Sequence, residues 1–438
     1  MITILQTVLF IALCGVAGFF AFKGYRRVYR NIMLGKKANY SDNPSQRWSN
    51  LLLVALGQKK MFKNIKPAIL HVFIYVGFVI TQIELIEVFI DGFTGGHRRI
   101  YHAVENIPFL LSFYVFTVSF IEVASVFVLF ATIAFLVRRW ILRVPRLNKP
   151  ELKGWPIKDA TIILLAELYL LTCIFSMNTG DMALAHGEYG FLVSGWLAPL
   201  ISGFNTTVIE VIEKVGWWGH IIGVLGFLVY LPYSKHLHII LAFPNTYFGR
   251  LTPKGFIPNM PEITKEIKLM MNPEAAPAEV SNEPIKFGSK DVFDVTWKNL
   301  LDAYTCTECG RCSAACPANI TGKKLSPRKI MMDTRDRLEE VGRSMEANGG
   351  VWKEDGKSLI ENGYISVEEL RACTTCNACV EECPVMISPL EIIVQLRRNL
   401  VMEESNAPNE WTGMFANMEN NGAPWQFSQQ DRLNWEKA

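Results

Sequence analysis

Hydrophobic positions crowd the first part of this chain in runs too long for a soluble core. Five of them, at roughly 2–22, 68–90, 109–137, 160–177 and 217–242, reach the length of about 20 residues that a helix needs to cross a bilayer. A sixth apolar stretch, 190–203, contains Gly195, Pro199 and Gly203 and is expected to be interfacial or re-entrant. Beyond about residue 243 charged and polar residues dominate, with helical periodicity at 326–345 and 366–372. A Pro/Glu/Ala-rich stretch, 272–285, reads as linker. The polar residues 404–438, with Trp411, Trp425 and Trp435, read as an extended tail that docks on another surface. The expected fold is mainly α: a five-span transmembrane helical bundle (1–248), a linker region (249–289), a helical soluble domain (290–403) and the tail.

Composition agrees with that division. Half of the 438 residues are hydrophobic and only 19% are charged, too apolar for an ordinary soluble protein. A formal net charge of +3 makes no case for nucleic acid as a partner. The charges are unevenly placed. Segment 23–66 holds eleven Lys or Arg against one acid, Asp42, and segment 138–159 holds seven basic residues, while 91–108 and 178–216 hold three between them. The positive-inside rule puts the two basic loops in the cytoplasm. The N-terminus is then outside, and everything after 243 is cytoplasmic, at the cytoplasmic membrane of a bacterium. The first run has its basic residues (Lys23, Arg26, Arg27, Arg30) after the apolar stretch, and no clear small-residue cleavage site precedes them. It is therefore expected to be a retained helix rather than a signal peptide.

Of ten cysteines, Cys14 and Cys173 sit alone in apolar runs, where a thiol is ordinarily inert packing. The other eight form two runs of identical spacing, C-x2-C-x2-C-x3-C-P. One is Cys306, Cys309, Cys312 and Cys316-Pro317; the other is Cys373, Cys376, Cys379 and Cys383-Pro384. This spacing is that of bacterial-type [4Fe–4S] proteins, in which the fourth cysteine of each run ligates the other cluster. The expected ligand sets are thus Cys306, Cys309, Cys312 and Cys383 for one cluster, and Cys373, Cys376, Cys379 and Cys316 for the second. Zinc sites pair two C-x2-C units or include histidine, and no histidine follows residue 238.

Histidines are the other metal-ligating residues. The last apolar run contains His220, His236 and His238, and the second contains His71. The eighteen residues from His220 to His238 make five turns of helix, so both are expected to face one side about 27 Å apart, with His236 facing roughly the other way. His71 enters the membrane from the cytoplasm and His238 returns toward it, so the two lie at similar depth and are expected to ligate a b-type haem. A partner for His220 would stand near residue 81, which is Thr81. His102 or His186 could substitute from outer loops, giving a second haem, or His220 could line a quinone pocket. Glu84, Glu87, Glu122 and Glu167 are acids within the runs. Such residues face a bundle interior or water. Glu84 and Glu87 are either proton acceptors for a quinol or hydrogen-bonded helix-end carboxylates.

Two resemblances follow from these residues. The stretch Trp217-Trp218-Gly219-His220, Leu231-Pro232-Tyr233-Ser234-Lys235-His236-Leu237-His238 and Pro244-Asn245-Thr246-Tyr247-Phe248 resembles the final span of the nitrate reductase gamma subunit. Membrane subunits of heterodisulfide reductase and of the sulfite-reduction complex share that type. The family carries a histidine pair ten residues apart in its second span, each pairing with one last-span histidine. His71 matches the first member and Thr81 replaces the second. The 56 residues between the cysteine runs, with Cys316-Pro317-Ala318-Asn319-Ile320-Thr321-Gly322 and Leu325-Ser326-Pro327-Arg328-Lys329, are similar to the alpha-helical ferredoxin of heterodisulfide reductase.

Together these imply a membrane-bound electron-transfer subunit with two [4Fe–4S] clusters and at least one haem b, acting on the quinone pool. The sequence has no dinucleotide fingerprint, P-loop, nucleophile elbow or paired-cysteine CCG motif. Substrate chemistry is therefore expected on a cytoplasmic partner, a CCG-type iron–sulfur protein or a flavoprotein. The competing expectation is a haem-free iron–sulfur membrane protein serving as redox sensor or assembly anchor.

Overall fold

The computed structural model describes residues 2–184, 189–253, 255–272 and 286–437. Helix dominates, and among the described residues only two isolated β-bridges occur. Five helices are long and apolar enough to cross a membrane: α1 (Ile2–Ile32), α2 (Ile65–Thr94), α3 (Pro108–Trp140), α4 (Trp155–Leu184) and α6 (Thr206–Tyr230). Between the last two lies α5 (Leu192–Ile201), ten residues that are too short to span.

Two spans run beyond their apolar stretches because polar residues continue them inside the protein. In α4, Asp159, Asn178 and Asp181 are all buried. Asp159 accepts from the Lys235 backbone N–H at 3.0 Å, and Arg98 binds both Asn178 and Asp181 at 2.6 Å. Helix α6 starts at Thr206 rather than near 217, capped by the Asn205 side chain, which accepts from Thr207 N–H at 2.9 Å.

The expected continuous helix over 217–242 is not formed. Helix α6 stops at Tyr230, two short 3-10 turns follow at Leu231–Tyr233 and Lys235–Leu237, and α7 (His238–Tyr247) begins afresh. Pro232 supplies the cause, since it has no N–H to donate and its ring crowds the preceding turn. Ser234 fixes the restart by accepting from His236 N–H at 3.0 Å.

The bundle is held by close backbone approach. At the α4–α6 seam a Cβ on Gly216 would lie 2.6 Å from Met177 N and 2.8 Å from Cys173 O. Small residues of this kind let membrane helices pack on dispersion alone. The opposite surfaces carry exposed apolar side chains such as Phe109, Phe113 and Phe116, as a lipid-facing wall requires.

The second part sits on the bundle end that carries the basic loops. Its main helices are α8 (Trp297–Thr305), α9 (Arg311–Ala315), α10 (Pro327–Ala347), α11 (Val367–Arg371), α12 (Ala378–Glu382) and α13 (Pro389–Met402), with a single turn at Pro317–Ile320. One apolar core runs across the junction, joining Val28, Ile32 and Leu237 to Leu300, Ile330 and Leu396. Polar ties reinforce it. Arg30 donates to Gly342 O at 3.0 Å, Asn31 to Tyr304 Oη at 2.9 Å, and Arg311 to the carbonyls of Lys60 and Met61 at 3.2 Å each. The stretch between the cysteine runs is clamped by Arg337, fully buried, which binds Asp291 and Asp355 at 2.6 Å each.

Most of the expected linker, 273–285, lies outside the described residues. The tail is not extended as expected. It forms α14 (Asn409–Asn421), closed by Gly422 at φ 62°, with Trp411, Trp425 and Trp435 all exposed.

The seam makes a prediction. Gly216→Leu should lower the thermal unfolding midpoint of the detergent-solubilised protein by several degrees. Gly226→Leu, where a Cβ meets nothing within 4 Å, should leave it unchanged. Differential scanning fluorimetry of both variants checks this.

Candidate metal centres

Each cysteine run folds as a loop running into one short helical turn. In the first, Glu308 and Gly310 take positive φ (54° and 72°); in the second, Thr375 and Asn377 do so (55° and 62°), at the same offsets from the leading cysteine. Repeated left-handed residues curl the chain so that successive thiols turn inward. Helices α9 and α12 follow, and they pack on each other. That contact brings the two runs together.

Cys306, Cys309, Cys312 and Cys383 line one cavity, together with Cys379 of the second run, Arg311 and Arg328. Cys316 instead lies within electrostatic reach of Cys373 and Cys379, which also has Cys376 as a neighbour. The fourth cysteine of each run thus has cysteines of the other run as electrostatic neighbours. Four thiolates bound to one zinc ion at 2.3 Å would stand about 3.8 Å apart. Among the described residues no three cysteine sulfurs lie within 4.8 Å of one another. Burial pushes the Cys306 and Cys379 thiols up to about 12 and the Cys383 thiol up to about 11. Iron must therefore displace protons on entering, which couples assembly to pH.

Arginines hold the loops from behind. Arg328 is buried and donates to Arg146 O at 2.7 Å and to Glu151 at 2.6 Å, tying the first loop to the segment after α3. Arg397 of α13 donates to Leu370 O at 2.7 Å and to Arg371 O at 3.1 Å beside the second.

The histidines gather at the junction. Because the chain turns at Pro232, the rings of His236 and His238 lie side by side, with centroids 5.4 Å apart and planes 33° apart. His236 thus does not face away from His238, as a continuous helix would have required. His71, from α2, lies within electrostatic reach of both. His238 Nδ1 is 3.0 Å from Lys235 O, an anchor that leaves Nε2 for a metal. His71 Nδ1 is buried and has no hydrogen-bond partner. Imidazoles converging from two elements, one anchored and one unsatisfied, fit the donor set of a bis-histidine haem.

Between the histidine turn and the first cysteine loop stands Lys235. Its ammonium binds Glu308, which is buried between Cys306 and Cys309, and reaches Pro156 O at 2.7 Å. Arg335 binds the other Glu308 oxygen at 2.9 Å. Burial opposes it, but Arg335 and Lys235 together hold the Glu308 carboxyl below its ordinary range. Sequence reasoning passed over Lys235 and Glu308, since neither belongs to a ligand motif.

The remaining candidates are elsewhere. His220 lies within α6 with Nδ1 buried and unpartnered. Thr81, opposite it in the family pattern, donates its hydroxyl to Phe78 O of its own helix at 3.1 Å. His102 is half exposed and 2.9 Å from Glu105, so it does not enter the bundle. His186 lies outside the described residues. Glu84 and Glu87 are buried at the far end of the bundle and neither bonds to His220. Arg98 stands 3.6 Å from Glu84 and 3.4 Å from Glu87, Asn178 donates to Glu84 at 2.9 Å, and Tyr114 donates to Glu87 at 2.8 Å. Glu122 accepts the backbone N–H groups of Val193 and Ser194, at 2.7 and 3.2 Å, and so holds α5 against α3. Arg98 was the residue to look for: two acids one turn apart in an apolar helix require a buried cation.

Comparison with known proteins agrees with the cysteine chemistry. Residues 305–387 match the family described as the 4Fe-4S dicluster domain. This segment binds [4Fe–4S]. The chain is 28% identical over 432 residues to the probable iron-sulfur-binding oxidoreductase FadF of Bacillus subtilis, covering 92% of this chain and 57% of that protein. It is 26% identical over 421 residues to the EtfAB:quinone oxidoreductase of Syntrophomonas wolfei, covering 90% and 54%. Over 159 residues it is 29% identical to one of the subunits of the dihydromethanophenazine:CoB–CoM heterodisulfide reductase of Methanosarcina mazei, covering 34% and 36%. The chain thus spans little more than half the length of the first two relatives. No solved structure matches it significantly.

The crossed ligand sets expected from the spacing make a double-mutant prediction. Cys316→Ser combined with Cys376→Ser should keep about half of the bound iron, because both changes fall on one cluster. Cys316→Ser combined with Cys309→Ser should lose nearly all of it. Iron and acid-labile sulfide per chain measure the difference, and the reverse pattern would mean that each run completes its own cluster.

Proposed function

We propose that this chain is a membrane-bound electron-transfer subunit connecting a cytoplasmic redox partner with the quinone pool. When bound, two [4Fe–4S] clusters and a b-type haem supply one-electron carriers. Cys306, Cys309, Cys312 and Cys383 would hold one cluster; Cys316, Cys373, Cys376 and Cys379 would hold the other. His71 and His238 would hold the haem. Apolar spans and basic loops on the cluster side support insertion with that side in the cytoplasm.

The observation that carries this reading is the Lys235–Glu308 ion pair. Lys235 belongs to the same turn as His236 and His238, and Glu308 to the loop between Cys306 and Cys309. One buried contact therefore fixes the spacing of the two metal-ligating regions. Asp159 extends the tie into α4 through the Lys235 backbone. The shared apolar core backs this contact on the side of the cysteine domain.

Supporting the quinone end are the name of the Syntrophomonas relative and the five helices long and apolar enough to cross a membrane. Likeness to heterodisulfide reductase subunits supports a complex, with substrate chemistry on a centre beyond these 438 residues. A CCG-type iron–sulfur protein or a flavoprotein suits that role. The alternative of a haem-free sensor or anchor gives no reason for three imidazoles to converge beside the first cluster loop.

A reduced-minus-oxidised optical spectrum, with haem counted per chain, tests the reading. One haem is expected, lost in His71→Ala and in His238→Ala, with its α band bleached when decylubiquinone is added to the reduced protein. A second haem would assign His220 as a ligand. No α band would remove the haem, and a band indifferent to the quinone would remove the quinone pool as partner.

A further inference from the structure

At the bundle end away from the cysteines, a pocket opens that the electron-transfer reading does not use. Gln6, Asp91, His97, Asp181, Glu213 and Trp217 are among its lining residues. Three of these are metal-ligating side chains from three separate elements: His97 from the turn after α2, Asp181 from α4 and Glu213 from α6. His97 Nε2 lies 3.0 Å from Asp181 Oδ1, and a Glu213 carboxylate oxygen completes a group whose ligand atoms all lie within 4.8 Å of one another.

Two observations distinguish this group from an ordinary surface cluster. Glu213 is only 8% exposed, yet its carboxylate makes no hydrogen bond or ion pair among the described residues. Gly180 allows this placement: a Cβ there would come 2.7 Å from the Glu213 Cβ, so only glycine lets α6 bring Glu213 beside Asp181. Charge balance is the second. Glu84, Glu87, Asp91, Asp181 and Glu213 are all buried here, against one buried guanidinium, that of Arg98. At the rim Lys214 leans toward Glu210, 3.9 Å away. A buried carboxylate without a counter-ion must acquire a proton or a cation. His97, about half exposed, leaves an opening by which a cation can enter from solvent.

We propose that His97, Asp181 and Glu213 form a divalent-cation site of the zinc class. One imidazole with two carboxylates is a zinc donor set, and a water completes the tetrahedron from the open pocket. Asp181 carries the site's link to the interior, since its other oxygen binds Arg98 at 2.6 Å and Arg98 holds Glu84 and Glu87. The ion supplies positive charge that Arg98 alone does not, and so locks the turn after α2 onto α4 and α6.

The test uses the full chain in detergent with its iron–sulfur clusters intact, dialysed against chelator and then loaded with Zn²⁺ or with Co²⁺ as optical probe. One zinc per chain is expected by elemental analysis, with unchanged iron. Cobalt should give visible d–d bands without the near-ultraviolet charge-transfer band of thiolate ligands. Glu213→Gln and His97→Ala should each weaken zinc binding by roughly tenfold or more, whereas His102→Ala should have no effect. Iron content and thermal midpoint verify that each variant is folded. Zinc binding that is absent in the parent protein, equal in all variants, or accompanied by a thiolate cobalt spectrum would overturn the proposal.

Discussion

The buried ammonium of Lys235 is the point on which the two parts of this protein meet. It binds Glu308 and approaches Asp159 to 3.9 Å, and Arg335 closes the set from α10. Such sets contribute little net stability, because desolvation cancels most of the Coulombic gain, yet removing one partner costs about 3–5 kcal/mol. Their effect is positional: only one seating of the cysteine domain satisfies all four groups. The apolar core that crosses the junction provides the stabilisation, and the ions provide the register.

That register depends in turn on the break at Pro232. A straight helix through 242 would carry His236 and His238 to opposite sides and leave Lys235 facing lipid or a neighbouring helix. Ending α6 at Tyr230 turns the backbone, places the two imidazoles side by side and directs Lys235 toward the first cysteine loop. The exposed backbone groups of the turn are met by Asp159, which accepts from Lys235 N–H, and by Ser234. Non-helical backbone is tolerated at such a depth only where protein covers it.

At the other end of the bundle the same arrangement recurs, again around a buried cation. One guanidinium is surrounded by carboxylates from α2 and α4, with Glu213 of α6 close by, and these polar contacts join helices whose remaining surfaces have only dispersion to hold them. The molecule thus has a cation-centred lock at each end of its membrane part, one joining it to the cysteine domain and one closing the far side.

Elements governed by local rules were legible in the residues. The five spans follow from run length, and the [4Fe–4S] character of the cysteine runs from their spacing, because both depend on neighbours in sequence. The true lengths of α4 and α6 were not legible, since Asp159, Asn178, Asp181 and Glu213 look like loop residues until their buried surroundings are seen. Thr81, set against the family pattern, already indicated that His220 lacks the expected partner. The Lys235–Glu308 tie, the grouping of His236 with His238, and the meeting of His97, Asp181 and Glu213 each join positions far apart in the chain or across a broken helix. Sequence by itself determined which segments are apolar, which loops are basic and which segment binds [4Fe–4S]. Tertiary structure alone decided which of them meet, because a contact between distant residues depends on the direction the backbone takes at a few positions such as Pro232 and Gly180, and no periodicity encodes that direction.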